Sequence, residues 1–89
     1  MLRKKIVICN KLGLHARASA KLVHLSSRYG SHIEIIKNDQ VVNGESIMGV
    51  MMLAAAKGTE IELSVTGEDE LHAMEALESL IRNRFGEEE

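Results

Sequence analysis

The sequence predicts an α+β domain: one β-sheet with its helices packed on a single face. Three observations carry that reading. Short β-branched segments alternate with longer segments of helical spacing, in the order strand–helix–strand–strand–helix–strand–helix. The length, 89 residues, suits one domain spanning 1–89. Hydrophobic residues make up 45%, yet there is no Trp and only one Tyr and one Phe, so the core must be aliphatic.

Lys4 to Cys9 is the first strand, with Ile6 and Ile8 on one face and Val7 and Cys9 on the other. Residues 10–15 are a loop in which Gly13 supplies backbone freedom. Good helix formers run from Ala16 to Arg28. Ala18, Leu22 and Leu25 lie along the inner face, flanked by Ser19, Val23 and Ser26, and Gly30 is the stop. "HIEIIK" (32–37) and "QVVN" (40–43) flank Asn38-Asp39 as a hairpin. Ser46 precedes a helical run, "IMGVMMLAAA", that ends near Lys57-Gly58. "EIELSVTG" (60–67) alternates, burying Ile61, Leu63 and Val65. Asp69 is placed to cap the last helix, whose stripe is Met74, Leu77, Leu80 and Ile81. Arg82 and Arg84 suit its negative end, and Gly86 stops it. Residues 86–89, "GEEE", read as a frayed acidic tail. This pattern leaves strand order open; a ferredoxin-like βαββαβ arrangement is one solution among several.

Composition narrows the function. A net charge of -2 and the scarcity of aromatic residues give neither the electrostatic footprint nor the stacking platform of a nucleic-acid binder. Cys9 is the only cysteine, so no internal disulfide and no CxxC site is expected, which fits a cytoplasmic protein. The apolar run Ile6–Cys9 is too short for a secretion signal, and no segment approaches membrane-spanning length. His24, His32 and His72 show no metal-ligand spacing and read as surface or strand-end residues, so no metal or cofactor is expected.

The stretch "NKLGLHARASA" (10–20) is where chemistry concentrates. A helix that begins at Ala16 makes His15 its N-cap, a position usually held by Ser, Thr, Asp or Asn. The free N–H groups of Ala16, Arg17 and Ala18, together with the helix dipole, favour an anion beside the imidazole. Arg17 adds a guanidinium fork suited to phosphoryl oxygens. A nitrogen nucleophile, an anion cradle and a guanidinium are the parts needed to accept a phosphoryl group on histidine. The bland reading of the same residues is a loop histidine followed by an arginine, on a small βαββαβ regulatory or binding module with no phosphoryl chemistry.

"GLHARASAKLV" resembles the active-site segment of the HPr phosphocarriers of the bacterial phosphoenolpyruvate:sugar phosphotransferase system. "NGESIMGVMMLAAAKGTEIELSVTGED" resembles the second signature of that family, at matching spacing. The resemblance spans nearly the whole chain. It implies an open-faced β-sandwich, a four-stranded antiparallel sheet of order 1-4-2-3 with three helices on one side. It implies a monomeric, stoichiometric carrier rather than an enzyme: His15 takes phosphate at Nδ1 from phosphorylated Enzyme I and passes it to a IIA protein or domain, assisted by Arg17. One departure stands out, because the family's usual "GLHARPA" has a proline where this chain has Ala18. Proline early in a helix surrenders only a donor that has no partner in the helix; alanine keeps that donor and remains helix-compatible. "HARASAKL" with "MMLAAAKGT" is more similar to the nitrogen-related branch, and to some proteobacterial members, than to the sugar branch of enteric bacteria.

Ser46 matches the serine that a dedicated HPr kinase/phosphorylase modifies in some members, although its place as an N-cap already explains a serine there. By the same resemblance, partners dock on the apolar skin around His15. Leu14, Ala20 and Lys21 are expected to contribute from one side, and Ile47, Met48 and Met51 from the other, with Val50 and Leu53 turned inward. Methionine suits a surface that must accept several partners.

Overall fold

The computed structural model of the chain describes residues 1–88. The elements are β1 (Leu2–Val7), α1 (Ala16–Ser26), β2 (His32–Lys37), β3 (Gln40–Asn43), α2 (Ile47–Met52), β4 (Glu60–Thr66) and α3 (Glu70–Arg82), followed by a short 3-10 turn, Arg84–Gly86. The strands form one antiparallel sheet of order β1-β4-β2-β3. That order, left open by the hydrophobic pattern, is the one the family resemblance implies.

Alternation explains why the sheet has one covered face. Ile6, Ile33, Ile35, Ile61, Leu63 and Val65 are buried, whereas Arg3, Lys5, Glu34 and Glu62 belong to the opposite face. Arg3 and Glu62 form a cross-strand ion pair there at 3.6 Å. Helix α1 contributes Ala18, Leu22 and Val23 to the core, and α3 contributes Ala73, Met74, Leu77 and Ile81. Ser19 and Ser26 are also buried. Each satisfies its hydroxyl on a main-chain carbonyl, Ser19 on Leu14 at 3.1 Å and Ser26 on Leu22 at 3.0 Å.

The first strand, expected over Lys4–Cys9, runs Leu2–Val7, and two helix ends and one cap also differ from expectation. Helix α1 stops at Ser26, two residues early: the N–H groups of Arg28 and Tyr29 bond to carbonyls three residues back, Leu25 at 3.1 Å and Ser26 at 3.2 Å, instead of four. Helix α2 stops at Met52 instead of running to Ala56, because Ala54 takes a left-handed φ of 51°. Lys37 Nζ donates to the Leu53 carbonyl at 2.9 Å and so closes that helix end. Asp69 occupies the N-cap position of α3 without capping it. Its carboxylate accepts instead from the Ser31 hydroxyl and the Gly30 N–H, which hold it below the usual carboxylate range.

The shortened α2 frees residues 54–56 to pack against the loop before α1. Ala55 is buried and its carbonyl accepts the Leu14 N–H at 2.9 Å. Gly13 lies against the same segment with φ +66°, where a β-carbon would overlap the Ala55 carbonyl oxygen and sit 2.8 Å from Ala56 Cα. Gly13→Ala should therefore destabilise the protein by about 1–3 kcal/mol, the range for a strained backbone position. A shift of the urea midpoint is the measurement; an unchanged midpoint contradicts this packing.

Candidate functional site

The site is built on Leu14. Its side chain is 5% exposed, its N–H is held by Ala55, and its carbonyl accepts the Ser19 hydroxyl. Burying such a side chain is worth about 1.5–3 kcal/mol. The expectation that Leu14 lies on an apolar docking skin is thus corrected: it faces the core and fixes the loop from beneath. Leu12 is the exposed leucine of this loop, at 66%, and lies beside His15 in an open depression lined also by Lys11, Ala16 and Arg17. Two leucines bracketing a glycine gave no sequence signal as to which was buried.

His15 is the N-cap of α1, with extended backbone (φ -77°, ψ -178°), and its carbonyl accepts the Ser19 N–H at 2.9 Å. Its side chain makes no capping bond, so Nδ1 has no partner among the described residues. The N–H groups of Ala16, Arg17 and Ala18 belong to the first turn and have no carbonyl within the helix to bond. Ala18 is fully buried, so only its N–H can serve the site. Arg17 is exposed and forms no ion pair among the described residues.

The other ring nitrogen is engaged. His15 Nε2 lies 2.6 Å from Glu87 Oε2. The second carboxylate oxygen accepts Asn10 Nδ2 at 3.0 Å, and the same amide nitrogen donates to the Gly13 carbonyl at 2.9 Å. Asn10 is fully buried; its Oδ1 has no partner among the described residues. The Asn10 amide first, and then the His15 ring, hold the Glu87 carboxyl below the usual carboxylate range.

This seating departs from the frayed tail expected over 86–89; Glu89 lies outside the described residues. Phe85 explains the difference. It is the only Phe in the chain, four residues beyond Ile81, and its ring is buried at 1% exposure. Arg84 and Phe85 both adopt left-handed φ, 56° and 55°, which turns the chain back towards the loop. Lys21 Nζ donates to the Phe85 carbonyl at 2.6 Å, so this exposed lysine of the expected docking set also holds the tail. The legible signal was Phe85 as a continuation of the α3 stripe.

On the far side of the loop, α2 presents Ile47, Met48, Met51 and Met52 to solvent, with Met48 at 69% and Met52 at 67%, while Val50 and Leu53 are buried. Met52, which the expected docking set leaves out, is exposed with the others. Ala20 is half-buried on α1. Ser46 is the N-cap of α2, its hydroxyl accepting the Gly49 N–H at 3.0 Å.

Comparison with known proteins gives one consistent result. The family model described as "PTS HPr component phosphorylation site" matches residues 2–83. The chain is 58% identical to the phosphocarrier protein HPr of Neisseria meningitidis and 53% identical to that of Cupriavidus necator, in each case over the full length of both chains. Among solved structures, HPr-C-His from Thermoanaerobacter tengcongensis superimposes with a TM-score of 0.96 at 44% identity, covering all of both chains. HPr from Bacillus anthracis gives 0.87 at 36% identity, over 90% of this chain and 95% of the other.

Because the Glu87 carboxyl is held below its ordinary value of 4.5, its docking contributes stability above that value. The contribution is lost as the pH falls through the depressed value, below 4.5. Backbone ¹⁵N relaxation of Glu87 should therefore report a seated tail at pH 7 and a progressively released one as the pH is lowered below 4.5; a tail equally ordered throughout an acid titration contradicts the assignment.

Proposed function

The chain belongs to the HPr family, the phosphocarrier proteins of the bacterial phosphotransferase system, and from that premise we propose that His15 is the residue that carries the phosphoryl group. The observation that supports this most is the N-cap geometry. The Nδ1 lone pair is unused, the unpaired N–H groups of Ala16, Arg17 and Ala18 open the helix, and Arg17 is exposed beside them. A phosphoryl group on Nδ1 brings negative charge to a helix N-terminus, where dipole and donors favour it. The Arg17 guanidinium supplies a charge-assisted hydrogen bond worth about 1.5–3 kcal/mol. The protein acts stoichiometrically, as substrate of one transfer and donor in the next.

His15→Ala should abolish phosphate uptake and leave the sheet and helices unchanged, since the ring makes no capping bond and its one bond among the described residues is to Glu87 in the tail. Incubation with phosphoenolpyruvate and Enzyme I, followed by intact mass, reads the result. The wild-type protein should gain one phosphate that is labile in acid and stable in base, as a phosphoramidate is. An acid-labile phosphate retained by the variant would sink the assignment.

The partners that fit are Enzyme I as donor and a IIA protein or domain as acceptor, met in the cytoplasm by a monomeric carrier. They dock on the exposed flank of α2, Ile47, Met48, Met51 and Met52, together with Ala20 of α1 and Arg17 as the charged rim. Ser46 opens that flank, which makes it the candidate site for an HPr kinase/phosphorylase. Aspartate caps a helix about as well as serine, so Ser46→Asp should keep the melting temperature within a few degrees. The added charge should slow phosphorylation of His15 by an acidic Enzyme I, most strongly at low salt. A stable variant with an unaltered rate at low salt would remove Ser46 from the docking face.

A further inference from the structure

Among the described residues, Glu87 is the one group bonded to the His15 ring, and the carrier reading gives it no task. A neutral imidazole has a single N–H, on Nδ1 or on Nε2, and its nucleophilic lone pair is on the other nitrogen. A carboxylate 2.6 Å from Nε2 selects the form in which Nε2 holds the proton, because an ionised carboxylate only accepts. We propose that Glu87 is the positioning residue of this site: it accepts the Nε2–H of His15, leaves the lone pair on Nδ1, and balances the positive charge the ring gains once Nδ1 is phosphorylated.

The carboxylate is held firmly enough for that role. The Phe85 ring is buried, the Phe85 carbonyl is held by Lys21, and Glu87 Oε1 is held by Asn10, which is itself fully buried and bonded to the Gly13 carbonyl. Glu87 is therefore tied to the core, to α1 and to the loop that presents His15. In the transfer, the Nδ1 lone pair attacks the donor's phosphorus. A nitrogen–phosphorus bond forms as the bond from phosphorus to the donor breaks, and the donor keeps that electron pair. Nε2 retains its proton throughout, so the phosphorylated ring is cationic and Glu87 faces it directly. The alternative, a tail that obstructs the site, is disfavoured because Glu87 contacts the nitrogen that is not phosphorylated.

The inference rests on His15 as phosphoryl acceptor, so its test includes a measurement that needs no phosphate. The ¹⁵N shifts of the His15 ring in the unphosphorylated protein, at a pH where the ring is neutral, should show Nε2 protonated. Glu87→Ala should give a mixture of tautomers and slow phosphorylation by Enzyme I about tenfold or more, the usual cost of removing a group that orients a working histidine. Glu87→Gln, which has one acceptor oxygen for the two donors His15 Nε2–H and Asn10 Nδ2, should keep the tautomer only in part and give an intermediate rate. An unchanged tautomer ratio in Glu87→Ala overturns the proposal, as does an unchanged or raised rate. If wild-type protein takes up no phosphate, the carrier reading fails, while the ring spectra still decide whether Glu87 sets the tautomer.

Discussion

The hold on Leu14 is the constraint from which the rest of the site follows. Its side chain is buried, its N–H bonds to Ala55 and its carbonyl to Ser19, so the residue before His15 cannot shift without breaking core packing and two hydrogen bonds. Each partner comes from a different place: Ser19 from the first turn of α1, Ala55 from the segment released when α2 ends early. The loop and the start of α1 are thereby one unit. A histidine with an uncapped side chain would ordinarily wander; here its backbone is fixed at the mouth of a helix whose first donors have no partners.

Much of this was readable in the sequence, and the parts that were not share a cause. Alternation in Ile61–Leu63–Val65 and helical spacing in Met74–Leu77–Ile81 depend on local periodicity, and both segments fold as the pattern says. His15 at the start of α1 and Ser46 at the start of α2 were legible because a cap is a local event. Strand order depends on which edges meet across the whole chain; periodicity is silent on it, and only resemblance to a family supplied it. The end of α2 was missed because Ala54 to Ala56 are good helix formers, and tertiary contacts with Gly13 and Leu14 override that propensity. The burial of Leu14 and the bond Lys21 makes were not legible for the same reason, since their partners, Ala55 and Phe85, lie far away in sequence.

Ala18 shows how a departure from the usual motif can be neutral. The proline commonly found there fixes one φ and gives up one N–H. Here the backbone is already held by the bonds to Leu14 and by burial of the Ala18 methyl, so a ring is not required to set its direction. The alanine retains a donor at the helix mouth, where anions are favoured.

Met1 and Glu87 lie beyond opposite ends of α3. The Met1 ammonium pairs with Glu70 in its first turn, at 3.1 Å, while the turn after its last residue, Arg82, delivers Glu87 to His15. A helix of 13 residues is about 20 Å long. A fluorophore or affinity handle on the amino terminus sits remote from the histidine. Glu88 lines the same depression as His15, so on the carrier reading a group joined after it starts from the proposed site. Binding constants taken with a carboxy-terminal fusion therefore measure the fusion as well as the protein, and immobilisation through the amino terminus leaves the working surface open.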